Sequence, residues 1–353
     1  MTRGTILRRT IATPLILSAL LVAIAVLAFA VGSRPFNQTV IDLFLMVIFV
    51  VGLQVFVGNS GVISFGHIAF ACLGGYVAAW TTIKPVLKSA AMPGLPDWLM
   101  GLEIPFWAAA IAGALWAALW AGLFGAILMR LSGIAASIAT FAMLAMVNAI
   151  YSNWTSVTAA TSSVVGIPIL RTTWPYLAAA VIAIFIAWAY AISRHGLALR
   201  AARDEPTAAA ASGVNIPRAR FIAFVLSGAV MGMGGALYAH SIGLVTPDTY
   251  YLGLTFTTLS MLVVGGMGSL SGAVLGVVIL SALIQGLRWL EAGVQIGNST
   301  FALPGGVQEI GLGVVMILIL MFRPAGIMGN SELSLPRRRR GGAENPGQTG
   351  PNT

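Results

Sequence analysis

The chain has 353 residues, 58% of them hydrophobic and 8% charged, with a formal net charge of +9 and a mean hydropathy of +0.92. A water-soluble fold of this size does not tolerate such a composition, so most of the chain lies in lipid. The positive charge sits at the ends of apolar stretches rather than on a basic face, which argues against a nucleic-acid partner and for a role in orienting the chain in the bilayer.

A membrane-spanning helix needs about 20 apolar residues. Such stretches occur near 11–32, 37–57, 62–83, 104–129, 134–151, 174–192, 219–241, 251–267, 270–288 and 307–322. The expected fold is all-α: a polytopic integral membrane protein of about ten transmembrane helices, some of them short or broken. Residues 1–10 form a cytoplasmic N-terminus, 11–329 the transmembrane domain, and 330–353 a disordered cytoplasmic tail. The first apolar run follows Arg3, Arg8 and Arg9. It is longer than the core of a cleaved signal peptide, about 7–15 residues, and is read as the first helix.

With the N-terminus inside, ten crossings place fourteen of the nineteen Lys and Arg residues in the cytoplasm and leave Arg34, Lys84, Lys88, Arg171 and Arg288 outside. The tail with Arg337 to Arg340 then lies near anionic lipid heads. Cys72 is the chain's one cysteine, so no intrachain disulfide forms, and the thiol is read as inert packing.

In chain order, the first departure from plain hydrophobic helix runs from Gly58, Asn59, Ser60 and Gly61 through Ser64, Gly66 and His67 to Gly74 and Gly75. Glycine costs about 1 kcal/mol against alanine inside a helix, so this stretch should break, turn and restart. Such backbone is tolerated at membrane depth where it is buried in protein or lines a cavity, so these residues pack helices closely, line a pathway, or do both. Thr140 and Asn148 stand two turns apart on one helix face, where they bond to helix backbone or touch a polar solute. A second glycine-rich turn contains Gly265, Gly266, Gly268 and Ser269 and leads into Gly272 and Gly276, one turn apart. The topology puts both glycine-rich turns at the cytoplasmic face.

Between two spans lies 193–220, an arginine-rich polar loop. Its centre, Arg203 to Gly213, reads as a short surface helix with Asp/Pro start signals and a Gly stop. A small-residue helix on the positive side suits docking of an external motor. A helix lying on lipid would need a bulky apolar face, which this one lacks. The chain ends its last span with Met321-Phe322-Arg323-Pro324-Ala325-Gly326, a membrane-exit stop.

Three other functions are disfavoured. Ser60 within Gly-x-Ser-Gly invites comparison with rhomboid intramembrane proteases, but the candidate bases, His67 and His240, are badly placed for it. No phosphate-binding loop is present, because the only lysines, Lys84 and Lys88, lack its glycine frame. Ion-coupled secondary transport needs intramembrane ionisable groups; Asp42 and Glu309 come closest, and both read as facing headgroups near the outer ends of their spans.

The run VGNSGVISFGHIAFACLGGYVAAW, the loop ALRAARDEPTAAAASGVNIPRARFIAFVLSGAVMGMGGALYAH, the segment LSMLVVGGMGSLSGAVLGVVI and the ending MFRPAGIMG together resemble the LivM-type permeases of branched-chain amino acid ABC importers, in that family's order. The resemblance implies a non-enzymatic permease subunit in the bacterial inner membrane, with both termini cytoplasmic. It implies as partners a second, LivH-like permease, two ATPase subunits that hold ATP and Mg, and an extracytoplasmic substrate-binding protein. It places Ala208, Ala209 and Gly213 at the small positions of an EAA-type coupling loop, with Arg203, Asp204 and Glu205 facing charges at the rim of an ATPase groove. Pro206 and Thr207 depart from the family's acidic-then-apolar pattern. No cofactor is expected on this chain itself.

Overall fold

A computed structural model describes residues 3–291, 294–296, 299–301, 306–323, 325–329 and 331–333. It is a helical membrane bundle: α1 (Arg3–Val31), α2 (Arg34–Ser60), α3 (His67–Thr82), two short connecting helices α4 (Pro85–Ala91) and α5 (Asp97–Met100), α6 (Phe106–Leu128), α7 (Gly133–Asn153), one turn α8 (Thr155–Thr158) and α9 (Thr173–Ile192). The chain continues through α10 (Arg194–Asp204), α11 (Pro206–Ala211), α12 (Ile216–Ile242), α13 (Leu252–Gly265), α14 (Leu270–Glu291) and α15 (Val307–Phe322). Two minimal antiparallel ladders accompany them, β1 (Val164–Val165) with β2 (Leu244–Val245), and β3 (Val294–Ile296) with β4 (Ser299–Phe301).

Among the described residues seven helices are long and apolar enough to cross a bilayer: α1, α2, α6, α7, α9, α12 and α14. Three more expected spans are shorter, α3 and α15 with 16 residues each and α13 with 14. At 1.5 Å per residue α13 rises only about 21 Å, less than the hydrocarbon core. Its ends are completed by the 3-10 turn Asp248–Tyr250 and by the glycine-rich turn after Gly265. The ten expected spans are therefore all present as helices, three of them short.

Helix α2 is the hub. Its apolar stretch is 83% buried within the protein, against 22% for the peripheral α6, as expected for a helix that is hydrophobic on every side. Ser33 caps its start by accepting the Phe36 N–H, and Gly61 ends it in the left-handed conformation at φ +71°. Helix α12 packs against α2, α3 and α6 along a stripe of small residues. A methyl group on Gly228 would strike Ala121, on Gly232 the backbone of Gly113, and on Gly235 the carbonyl of Ala71. Without water to drive helix association in lipid, such close backbone approach supplies the packing.

The end of the bundle that bears α4 and α5 carries a cap that the sequence did not announce. Lys88 of α4 is fully buried, and its ammonium donates to the carbonyls of Leu99 (3.0 Å) and Leu102. Burial pulls this amine below its usual pKa, partly offset by Glu103. Cys72 is buried in α3, consistent with an inert packing role.

Candidate functional site

The polar loop forms two helices rather than one. Ser193 ends α9 and starts α10, its hydroxyl donating to the Tyr190 carbonyl (2.7 Å) and accepting the Gly196 N–H (3.2 Å). Arg200 donates to the Ala191 carbonyl (2.6 Å), placing a cation at the C-terminal end of α9 where the helix dipole favours it. Burial and the like charge of Arg203 lower the Arg200 guanidinium from its usual pKa, while Glu332, Asp204 and Tyr190 pull it back. Arg203 and Asp204 close α10, so the single helix expected over Arg203–Gly213 is corrected: extended Glu205 separates α10 from α11, and Pro206 opens α11. Proline presets the first helical φ and has no N–H to lose, which is why the break falls there. Gly213 turns the chain at φ +85° with open space around its α-carbon, and Asn215 caps α12 by accepting the Arg218 N–H.

Asp204, Glu205, Ala208 and Gly213 are exposed, as a docking surface requires. Ala209 is not: it is 6% exposed and turned into the protein, because one face of the short α11 must pack down on α12. Arg203 also departs from its expected place at a partner's rim. One nitrogen donates to the Gly58 carbonyl at 2.7 Å, while the rest of the guanidinium pairs with Asp204 at 3.0 Å. Its aliphatic stem lies over Gly61, where a β-carbon would sit 2.6 Å from Arg203 Cγ.

Gly58 is therefore a junction. A β-carbon there would lie 2.5 Å from the carbonyl of Met267, so the glycine-rich turn after α13 abuts the end of α2 while Arg203 grips the same residue. The remaining candidates around the α2–α3 break are tied to local structure. Asn59 donates to the Val55 carbonyl of its own helix (3.0 Å), and Ser64 pairs with His67 Nδ1 (2.6 Å). Ser137 of α7 holds the Ile63 carbonyl (2.7 Å), and Gly66 packs against the backbone of Thr140. Thr140 itself donates back to Ser137 (2.8 Å). Gly74 packs on Gly232, and Gly75 lies under the Tyr250 hydroxyl. Asn148 is half-buried in α7. The glycines of this break are in close backbone contact, while the Asn148 amide nitrogen is buried with no hydrogen-bond partner among the described residues.

The second break is strapped by the C-terminal segment. Gly265 packs on Gly272, Gly266 adopts φ +117°, Gly268 is half-buried, and Ser269 accepts the Gly272 N–H (2.8 Å). Ile327 donates to the Val264 carbonyl (2.9 Å) and Met328 to that of Gly265 (3.0 Å). The Glu332 carboxylate accepts the N–H groups of Leu270 (2.7 Å) and Ser271 (3.0 Å) and the Ser271 hydroxyl (2.6 Å). This puts an anion on the N-terminus of α14, where orphan donors and the helix dipole attract it. The docked segment thus reaches Leu333, whose carbonyl accepts from Thr13 (2.9 Å), beyond the boundary drawn at 329. The rest of the tail, Arg337 to Arg340 included, lies outside the described residues, as do the side chains of Arg3, Arg8, Arg9 and Glu309.

A serine-protease arrangement is absent from this geometry. Ser60 accepts the Val62 N–H (3.2 Å), His67 is committed to Ser64, and His240 bonds to the Pro168 carbonyl (2.9 Å) at the other end of the bundle. Ser64 and His67 are each 1% exposed, closed to substrate. Among the described residues no group of His, Cys, Asp or Glu is placed to hold a metal ion. Asp42, expected among headgroups, is instead half-buried on α2 and shares a cavity with Arg288 of α14.

A polytopic helical bundle with a polar loop clamped to two internal helix breaks is the architecture of a membrane permease. The comparisons agree: the chain belongs to the family described as branched-chain amino acid transport system / permease component, whose model matches residues 36–321. It is 25% identical to the high-affinity branched-chain amino acid transport system permease protein LivM of Salmonella typhimurium, over 90% of this chain and 76% of that protein. It is also 25% identical to LivM of Escherichia coli K12, over 87% and 74% respectively. LivH of Salmonella typhimurium matches at 29% identity over 45% of this chain and 46% of its own. No solved structure matches significantly.

Proposed function

We propose that this chain is the LivM-like half of an ATP-driven importer in the bacterial inner membrane. Its partners are a LivH-like permease, two cytoplasmic ATPase subunits carrying ATP and Mg, and an extracytoplasmic binding protein that delivers a branched-chain or related amino acid. Both termini and the α10–α11 loop face the cytoplasm. The chain itself performs no hydrolysis. Transport proceeds by alternating access, with the ATPase stroke received on the exposed residues Glu205, Ala208 and Gly213, beside the Asp204 carboxylate that pairs with Arg203.

The observation that carries this reading is the bond from Arg203 to the Gly58 carbonyl. It joins the loop offered to a motor with the point where the two glycine-rich breaks meet. Displacing α10 pulls on the end of α2 and, through the contact between Gly58 and Met267, on the turn between α13 and α14. Glycines at those turns let the backbone move without a side chain in the way. The experiment is uptake of labelled leucine into vesicles carrying the complete complex. Uptake should need ATP and both ATPase subunits and survive collapse of the proton gradient; uptake that stops with the gradient while ATP is held constant would favour an ion-coupled carrier instead.

A further inference from the structure

A cavity of about 480 Å³ opens on the outer half of the bundle between α2, α12, α13 and α14. This lies within the range of small-ligand pockets, about 300–1,000 Å³. Its lining is mixed, charged and apolar. Asp42 and Arg288, with Gln38 and Gln285, line it together with Met46, Leu254, Met261 and Ile284, and the hydroxyls of Thr257 and Ser281 share the wall.

The two charges come from different helices, α2 and α14, and line the same cavity. Gln38 donates to one Asp42 oxygen at 3.1 Å and so orients the carboxylate. An ionised carboxylate has about four acceptor sites, so this bond leaves room for an ammonium. Asp42 is eight residues inside α2, about 12 Å along the axis, and Met46 is about 6 Å deeper. A carboxylate, a guanidinium and two carboxamides on one wall are costly against lipid tails. Water or a polar solute suits that wall.

We propose that this cavity is a way-station for a zwitterionic α-amino acid with an aliphatic side chain, an assignment that deepens the transport reading and rests on it for the identity of the solute. Asp42 receives the α-ammonium and Arg288 the α-carboxylate, for which the planar guanidinium offers two parallel donors. The side chain points inward to Met46 and Met261, whose flexible thioethers accommodate differently branched aliphatic groups. The site selects for both headgroup charges at once and for an apolar remainder.

The test uses the full complex in vesicles. Cys72 is buried, so Thr257→Cys places a single accessible thiol on the cavity wall; the native hydroxyl only bonds back to its own helix at Gly253. A small methanethiosulfonate reagent added outside should label it. L-Leucine should slow labelling by a factor of one plus its concentration over Kd, about tenfold at about ten times Kd. 4-Methylpentanoate, which lacks the ammonium, isopentylamine, which lacks the carboxylate, and glycine, which lacks the side chain, should protect little. Asp42→Asn and Arg288→Gln should each remove leucine protection while the thiol still labels. A thiol that never labels, equal protection by all four compounds, or protection that survives both variants would overturn the assignment. Uptake is measured on the same vesicles: ATP-driven uptake without protection sinks this site and leaves the transport reading standing. Protection without ATP-driven uptake does the reverse.

Discussion

Replacing Arg203 with methionine tests the mechanical link while keeping a long apolar stem over Gly61. The bond to the Gly58 carbonyl is 2.7 Å long, charge-assisted, and made by a side chain only 24% exposed. Hydrogen bonds to charged groups contribute about 1.5–3 kcal/mol. The partner Asp204 is 67% exposed, so that ion pair adds little, and Asp204→Asn is the matched control. If the Gly58 bond transmits the stroke, its loss weakens coupling between the loop and the helix breaks by its own worth, about tenfold to 150-fold in the underlying equilibrium. The assay is the ratio of solute imported to ATP hydrolysed in the reconstituted complex. Arg203→Met should lower this ratio about tenfold or more with hydrolysis retained, and Asp204→Asn should leave it nearly unchanged. An unchanged ratio in Arg203→Met refutes the reasoning, and so does a fall as large in Asp204→Asn.

Three further expectations follow from packing and charge. Gly235→Ala drives a methyl group into the carbonyl of Ala71 and should destabilise the purified protein by about 1–3 kcal/mol, read as earlier thermal unfolding; an unchanged transition contradicts the packing argument. Glu332→Gln keeps the shape of the cap on α14 but removes its charge, and should cost about 0.3–2 kcal/mol, seen as faster proteolytic release of the C-terminal segment. Lys88→Met leaves the carbonyls of Leu99 and Leu102 without their donor and should destabilise the α4–α5 cap by at least about 1.5 kcal/mol. The folded pKa of Lys88 lies below its ordinary 10.5, so between those two values the unfolded chain binds more protons and stability rises with pH. The neutral amine still has two N–H groups for two carbonyls, so wild type should gain stability relative to Lys88→Met as pH climbs through that window. A difference that stays flat across it contradicts burial of the amine.

The spans were legible because each is an unbroken apolar run, and the break after Ser60 was legible because glycine density is a local signal. The loop was legible as a loop, but not its division at Glu205, which a Pro206 start signal indicates only once Arg203 and Asp204 are assigned to the preceding helix. Nor was the direction of Arg203 or Ala209. Arg203 reaches a carbonyl 145 positions away, and a six-residue helix of nearly uniform alanine has no pattern to say which face turns inward. Asp42 looked like a headgroup residue because its distance from the start of the span is readable and the α14 residues that share its cavity are not. Glu332 was hidden for the same reason: a carboxylate in a polar tail gives no sign that a helix N-terminus waits for it.

The central claim is that the exposed face of α11 is gripped from the cytoplasm by an ATPase. Ala208→Cys tests it directly, since Ala208 is exposed and the native Cys72 is 2% exposed. In membranes containing the whole complex this thiol should react only with reagents that reach the cytoplasmic side, and a short bifunctional cross-linker should join it to an ATPase subunit. Labelling by an impermeant reagent from outside intact cells, or a complex that transports with ATP yet yields no such cross-link, would contradict the account.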